Sequence, residues 1–212
     1  MGRNQQFVSY FYCFLGFLAF SRGAGTTATD SPPYTVVRSV ADVEIRLYKD
    51  CSWMSALVRG GSSFEKATKD GFHRLYQYLN GSNLNSSRLP MTAPVLTTIP
   101  TPPVEDPNYV VRLYLPARSD EAPPQPLPEL NLAMETWGRR CMAARKFSGF
   151  AKDENINREI EALLAGLDKI SGAVKIAKSY TIAQYSGPFR LSGRMNEVWV
   201  DLTGVSIDGC LS

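Results

Sequence analysis

The chain is poor in the side chains that most enzymes and metal sites require. It contains one histidine, His73, and four cysteines among 212 residues. A site built from several histidines is therefore excluded, and a serine–histidine–aspartate hydrolase would have to use His73. The cysteines show no Cys-x-x-Cys spacing, and neither a nucleophile elbow, a phosphate-binding loop nor a dinucleotide-binding fingerprint is present. Little in the sequence favours catalysis.

The charge is also close to balanced. Lys and Arg total 23 against 20 acidic residues, which gives a net charge of +3. Because no basic run concentrates these charges, a nucleic-acid partner is not expected. The hydrophobic share of 44% excludes wholesale disorder, and the length is sufficient for a buried core.

An apolar run of 14 residues, 7–20, follows Arg3 near the N-terminus. It is short for a membrane span and typical of the central region of a signal peptide. Ala19-Phe20-Ser21 provides a small-x-small cleavage site. We therefore expect residues 1–21 to direct the chain to the secretory pathway, the cell exterior or an organelle, with an uncleaved anchor or a buried strand as the alternatives. No later segment is apolar enough to cross a membrane, so we expect no stable membrane insertion after signal removal.

Removal of residues 1–21 would leave three cysteines, Cys51, Cys141 and Cys210. An oxidising compartment would permit one disulfide and one free thiol among them, and the sequence does not select the pair. Burial as a small hydrophobic side chain is the alternative for each cysteine.

The pattern of the rest of the chain predicts an α+β fold. Residues 22–33 form a flexible linker rich in small residues. Alternating apolar residues predict strands near residues 34–38, 43–48, 52–58, 95–99, 109–115, 132–137, 141–147, 180–185 and 197–202. One helix is predicted from a Ser62 or Ser63 cap to Asn80, and a second from an Asp153 cap. Each half then reads strand, strand, helix, strand, strand, with the helices against one curved sheet or barrel.

The first predicted helix has two apolar faces. At about 100° per residue, the core face collects Phe64, Ala67, Gly71, Leu75, Tyr78 and Leu79. Phe72 and Tyr76 lie roughly 120° away, with Lys69 beside them in angle and His73 at the margin. These two rings can pack on each other or under a loop. They can also form an apolar platform beside a cation, which suits a planar hydrophobic ligand that carries carboxylates.

Several ordered motifs carry a family resemblance. They are Met91-Thr92-Ala93-Pro94-Val95 after Gly81-Ser82-Asn83, Leu115-Pro116 followed by Pro123-Pro124-Gln125-Pro126, Phe147-Ser148-Gly149-Phe150, and the segment from Tyr185 to Trp199. With these motifs the chain resembles the SOUL haem-binding protein family from about Tyr34 to Leu202. The resemblance implies one domain over residues 34–212. It also implies a distorted β-barrel of about eight strands, flanked by two helices and built as two pseudo-symmetric halves.

The resemblance further implies a ligand and its site. The ligand is haem or a related tetrapyrrole, bound non-covalently by a carrier or buffer rather than an enzyme. The implied contacts are Lys69, Phe72, His73 and Tyr76 on the first helix and Pro188, Phe189 and Arg190 in the loop above it. Two positions depart from the family: Gln77 replaces a basic residue, and Leu47 replaces a histidine that some members carry. Only His73 is left as a candidate axial ligand, so we expect apolar enclosure and propionate salt bridges to hold the porphyrin.

Other interpretations stay open at this level. The Met91–Val95 motif is interpreted as a structural turn, and Glu197 with Arg194 as an internal ion pair rather than as ligand contacts. Trp53, Trp137 and Trp199 are expected in the core. Two further functions compete with porphyrin carriage. One is a sensing module for hydrophobic small molecules, by analogy of fold with bacterial drug-binding regulators. The other is an enzyme acting on a small hydrophobic substrate.

Overall fold

A computed structural model describes residues 29–101, 107–117, 122–171, 179–205 and 207–210. The predicted signal peptide, residues 1–21, lies outside the described residues, and so does the predicted linker up to residue 28. The described strands are β1 (Tyr34–Val40), β2 (Val43–Tyr48), β3 (Cys51–Val58), β4 (Val95–Pro100), β5 (Tyr109–Leu115), β6 (Leu132–Trp137), β7 (Arg140–Ser148), β8 (Ser179–Gln184) and β9 (Met195–Asp201). The helices are α1 (Phe64–Leu79) and α2 (Ile156–Ser171), with a short 3₁₀ turn at Pro128–Leu130.

All nine described strands join one antiparallel sheet in the order β1-β2-β7-β9-β8-β4-β5-β3-β6. The elements β2-β3-α1-β4-β5 recur in the same order as β6-β7-α2-β8-β9. Because β2 pairs with β7 and β6 pairs with β3, each half lends its first strand to the other half. The predicted α+β fold with two repeated halves is confirmed, and β1 is a ninth strand outside the repeat.

Both helices pack on the same face of the sheet. The buried residues of α1 are the predicted core stripe, and Ile156, Ile160, Leu163 and Leu167 are the buried residues of α2 that pack on the sheet. Gly71 of α1 and Gly166 of α2 lie where a methyl group would collide with Val111 and Val43. Glycine therefore lets each helix approach the sheet more closely than any other residue would allow.

The two helices are joined at their N-termini by Asp153. Its predicted role as the cap of α2 is wrong, because α2 begins three residues later, at Ile156. The Asp153 carboxylate instead accepts hydrogen bonds from the backbone N–H of Phe64 (2.7 Å) and of Glu65 (3.2 Å) at the start of α1. Free amides at a helix start need an acceptor, and here the other half of the molecule supplies it. Ser63 caps the same helix locally, as predicted.

The opposite face of the sheet is lined with buried aromatic side chains. Tyr48, Trp53, Tyr114, Trp137 and Trp199 belong to one hydrophobic cluster. The cluster runs from Tyr48 on β2 to Trp137 on β6, with members on each strand between them. The sheet that carries it is curled into a half-barrel. The three tryptophans are in the core, as predicted.

A buried ion pair, Arg46–Glu197, crosses this aromatic face from β2 to β9. The Arg46 guanidinium donates to both carboxylate oxygens of Glu197, at 2.7 and 2.8 Å. Tyr185 Oη (2.8 Å) and Trp199 Nε1 (2.7 Å) donate to the same carboxylate. Arg46 is 0% exposed and Glu197 is 2% exposed. Burial and the negative charge of Glu197 raise the pKa of Tyr185, so its hydroxyl remains a donor across the neutral pH range.

A disulfide joins Cys141 of β7 to Cys210, and Cys51 is buried as a free thiol. The expected ratio of one disulfide to one free thiol is confirmed, and the structure selects the pair. The bond closes a sequence separation of 69 residues and ties the C-terminal segment to the sheet.

Loss of this disulfide is expected to destabilise the fold. Replacement of Cys141 and Cys210 together by alanine should lower the free energy of unfolding by about 2–4 kcal/mol, because the unfolded chain regains the freedom of a long loop. Urea titration with and without reductant measures the effect. Reductant should destabilise the parent protein and leave the double variant unchanged; equal stability of the two proteins without reductant would contradict the prediction.

Loss of the Glu197 carboxylate is expected to destabilise the fold more than loss of an exposed carboxylate. Glu197→Ala should lower the free energy of unfolding by about 3–5 kcal/mol, because the buried Arg46 charge loses its buried partner and keeps only the partly exposed Glu44 carboxylate. Glu129→Ala, at an exposed carboxylate, is the matched control and should change stability little. The double variant Arg46→Met, Glu197→Leu should be less destabilised than Glu197→Ala alone. Equal effects of Glu197→Ala and Glu129→Ala in urea titrations would contradict this role.

Candidate functional site

The second apolar face of α1 is present in the structure as a pair of neighbouring rings. Phe72 and Tyr76 have ring centroids 6.0 Å apart at a tilt of 43°. Phe72 is half-buried against the core cluster beneath the helix, whereas Tyr76 is 52% exposed. The pair therefore combines a ring anchored on the core with one presented to solvent.

Two hydrogen bonds define which way this pair faces. Thr68 Oγ1 lies 2.8 Å from Thr97 Oγ1 on β4, so this flank of α1 is turned toward the centre of the sheet. Arg74, on the other flank, donates to the carbonyl of Leu57 at 2.7 Å, toward the outer strands. The helical angles of Phe72 and Tyr76 put them on the Thr68 side. Lys69 and His73 are exposed on the same helix, beyond the two rings.

The second part of the predicted site is the loop of residues 186–194 between β8 and β9. Arg194 lies at its base and was expected to pair with Glu197; that prediction is wrong. Its guanidinium donates to the carbonyls of Gly187 (2.7 Å), Arg190 (2.7 Å) and Ser186 (3.0 Å) and lies over the Phe150 ring at 4.2 Å. Glu197 points to the aromatic face of the sheet, where its carboxylate already accepts hydrogen bonds from Arg46, Tyr185 and Trp199. Arg194 therefore organises the loop from within.

The tip of the loop is unusually exposed and apolar. Phe189 is 94% exposed and Leu191 is 80% exposed, with Pro188 and Arg190 exposed beside them. Residues 186–194 contain two arginines and no acidic residue. Within the part of the chain that the structure describes, neither arginine forms a salt bridge. The loop thus combines apolar side chains with positive charge that no carboxylate neutralises.

The two parts of the predicted site lie toward the same end of the sheet on separate elements. Val95, at the start of β4, pairs with Gln184, which precedes the loop, and Val95 packs against the same core cluster as Phe72. Among the described residues, no hydrogen bond or ring contact joins the loop to α1. The arrangement is an open surface with α1 on one side, the loop on the other and the start of β4 between them.

A separate small cleft lies between the starts of the two helices. Its volume is about 210 Å³, and it is lined by Phe64, Ile99, Pro100, Pro107, Tyr109, Asp153, Ile156, Asn157 and Tyr180. Burial, together with the Asp153 carboxylate, raises the pKa of Tyr109. Pockets for drug-sized ligands are typically about 300–1,000 Å³, so this cleft is too small to enclose a porphyrin.

The described residues contain no group of three or more His, Cys, Asp or Glu side chains placed to hold a metal ion. The searched part of the chain also has no helix with the length and apolar character of a membrane span. A porphyrin on the open surface would therefore depend chiefly on apolar contacts and on the exposed cations.

Sequence reasoning missed three residues of the loop region. Leu191 is nearly as exposed as Phe189, Arg194 braces the loop, and Phe150 supports the Arg194 guanidinium. All three belong to motifs that were already recognised, the 147–150 turn and the 185–199 segment. The sequence signal that could have identified this region is the absence of Asp and Glu from a loop that contains two arginines.

Comparisons with known proteins agree with the fold and the motifs. The family model described as SOUL heme-binding protein matches residues 29–201. Heme-binding protein 2 of Mus musculus is 28% identical over 189 residues, which cover 86% of this chain and 91% of that protein. Heme-binding protein 2 of Homo sapiens is 31% identical over 159 residues, which cover 74% of this chain and 76% of that protein.

Among solved structures, the crystal structure of the EcmrR C-terminal domain aligns with a TM-score of 0.52 at 11% identity, over 79% of this chain and 96% of that one. At that identity the likeness concerns the fold alone. The family model, in contrast, covers most of the chain and includes every described strand and helix. The chain belongs to the SOUL heme-binding protein family.

Proposed function

We propose that the protein binds haem or a related tetrapyrrole non-covalently, as a carrier or buffer without catalysis. The site is the open surface between the Phe72–Tyr76 pair of α1 and the loop 186–194. Membership of the family and the similarity to heme-binding protein 2 of two mammals support the ligand class. The observation that carries the site is the loop itself, which presents an almost fully exposed Phe189 beside an unneutralised Arg190.

The chemistry of a porphyrin matches what this surface offers. Its macrocycle is planar and apolar, and its propionates are anionic. The rings of Phe72, Tyr76 and Phe189 supply apolar area, and burial of such area against a ligand is the main source of affinity. Lys69 and Arg190 are placed on the two sides of the surface, where each can pair with a propionate. When bound as haem, the ligand would add an iron centre, for which His73 is the candidate protein ligand.

The proposed location is the secretory pathway, a related organelle or the cell exterior. Two observations support it: the apolar run after Arg3, and the Cys141–Cys210 disulfide, a bond that persists in oxidising compartments. If residues 1–21 are removed there, N-terminal sequencing of the protein from its native source should find a start near Arg22. A soluble cytosolic form that begins at Met1 or Gly2 would contradict the proposal.

Aromatic substitutions on the surface should weaken porphyrin binding more than cation substitutions. Tyr76→Ala or Phe72→Ala should cost about 1–3 kcal/mol of binding free energy, from lost apolar burial. Lys69→Ala or Arg190→Ala should weaken binding less than about fivefold, because exposed ion pairs contribute little. Hemin titrations followed by the Soret band measure both, and only the two cation variants should flatten the dependence on salt.

Met134→Ala is the matched control, since Met134 on β6 is 52% exposed, as Tyr76 is, and lies outside the proposed surface. It should leave hemin affinity unchanged. If Tyr76→Ala and Met134→Ala have the same affinity for hemin, the surface is wrongly placed. If apolar ligands that lack a porphyrin bind as tightly as hemin, the protein is a general hydrophobic sensing module instead. Turnover of any such ligand would indicate an enzyme.

Iron should contribute little to affinity. Because Leu47 stands where some family members carry a histidine and His73 is exposed at the edge of the surface, protoporphyrin IX should bind within about tenfold of hemin, or about 1.4 kcal/mol. His73→Ala should leave the Soret position nearly unchanged. A large loss of hemin affinity in that variant, with protoporphyrin binding preserved, would make His73 an axial ligand.

A further inference from the structure

At the tip of the loop 186–194, two large apolar side chains are almost fully exposed, which is rare on protein surfaces. Phe189 and Leu191 stand at 94% and 80% exposure with Arg190 between them. Single exposed apolar residues are common, but neighbouring large ones on a protruding loop mark a surface that meets a partner. Phe150 (40%) and Met195 (41%) extend the apolar area at the base of the loop.

The exposure is a property of an ordered loop. Three carbonyls of the loop accept hydrogen bonds from the buried Arg194 guanidinium, and the N–H of Arg190 donates to the carbonyl of Gly187 at 3.2 Å. These hydrogen bonds therefore fix the loop conformation in which the two apolar side chains are exposed. A preorganised loop has less conformational entropy to lose on binding.

The charge of the loop indicates the chemistry of the partner. Arg190 and Arg194 face no carboxylate within the described residues, and residues 186–195 contain no Asp or Glu. The partner should thus be apolar in its interior and anionic at its surface. A protein partner would need a concave pocket to accept two projecting side chains, whereas a fluid acyl layer accepts them without one.

We propose that the loop 186–194 docks the protein on an anionic lipid surface. Phe189 and Leu191 enter the boundary between headgroups and acyl chains, and Arg190 contacts the lipid phosphates. The contact requires no porphyrin, so it goes beyond the proposed function. Because both use Phe189, hemin and vesicles should also compete for the loop.

The experiment places a fluorescent reporter on the loop of the full chain. In Phe189→Trp the introduced indole is exposed, while the native Trp53, Trp137 and Trp199 are buried and change little. Addition of phosphatidylcholine vesicles that contain phosphatidylglycerol should shift its emission to the blue, and lipids brominated on the acyl chains should quench it. The matched control is Leu84→Trp, at a leucine that is 65% exposed and lies outside the loop; its indole should stay in water.

The indole at position 189 reports on the loop itself. It therefore distinguishes docking through the loop from attachment of the full chain through the N-terminal apolar run. Arg190→Gln, added to Phe189→Trp, should raise the lipid concentration at half-maximal quenching about fivefold. The proposal is overturned if the loop indole is not quenched on vesicles that sediment with the protein. It is also overturned if vesicles without phosphatidylglycerol act equally well. A blue shift that depends on protein concentration without lipid would identify a second copy as the occupant and likewise overturn it.

Discussion

The architecture depends on a charge pair buried between the two halves of the chain. Arg46 on β2 and Glu197 on β9 are separated by 151 residues in sequence and are almost fully removed from water. Burial of either charge without a partner would cost several kcal/mol, and Glu197 is the buried partner of Arg46 beside the partly exposed Glu44. Because β7 lies between their strands, the pair is satisfied only when β2 of the first half is inserted beside β7 of the second. The exchange of first strands between the halves is thus coupled to the contact of Arg46 with Glu197.

The exchanged strands bring the two helices to one face of the sheet and leave the pairing of β4 with β8 at its centre. At one end of this region the halves are locked together, because Asp153 caps the helix of the other half. At the other end nothing equivalent joins them among the described residues, and α1 and the loop 186–194 stay apart. The two repeated halves are thus bonded to each other at the end where Asp153 contacts α1. The surface that we propose for the ligand lies at the other end, where it stays open.

The loop shows how a buried arginine can serve function without contact with a ligand. Arg194 is surrounded by backbone carbonyls rather than by carboxylates, so it gives the loop both shape and uncompensated positive charge. In the same loop, Phe189 and Leu191 are exposed to solvent. An amphiphilic porphyrin and an anionic lipid surface share the combination of apolar body and acidic edge that such a loop attracts. Both proposed partners follow from one physical feature.

The sequence by itself determined the elements of this protein and the family to which it belongs. Alternation and helical periodicity are local patterns, so the strands, the core stripe of α1, the Ser63 cap and the ordered motifs could be recognised without knowledge of the fold. Contacts between residues distant in sequence could not be recognised in this way. Asp153 was assigned to its own helix but caps one 89 residues away, Arg194 was paired with the nearby Glu197 although alternation turns them to opposite faces, and the choice of Cys141 and Cys210 was open. Tertiary structure decided these contacts, because a charged group, a free amide or a thiol bonds to whatever packing brings beside it.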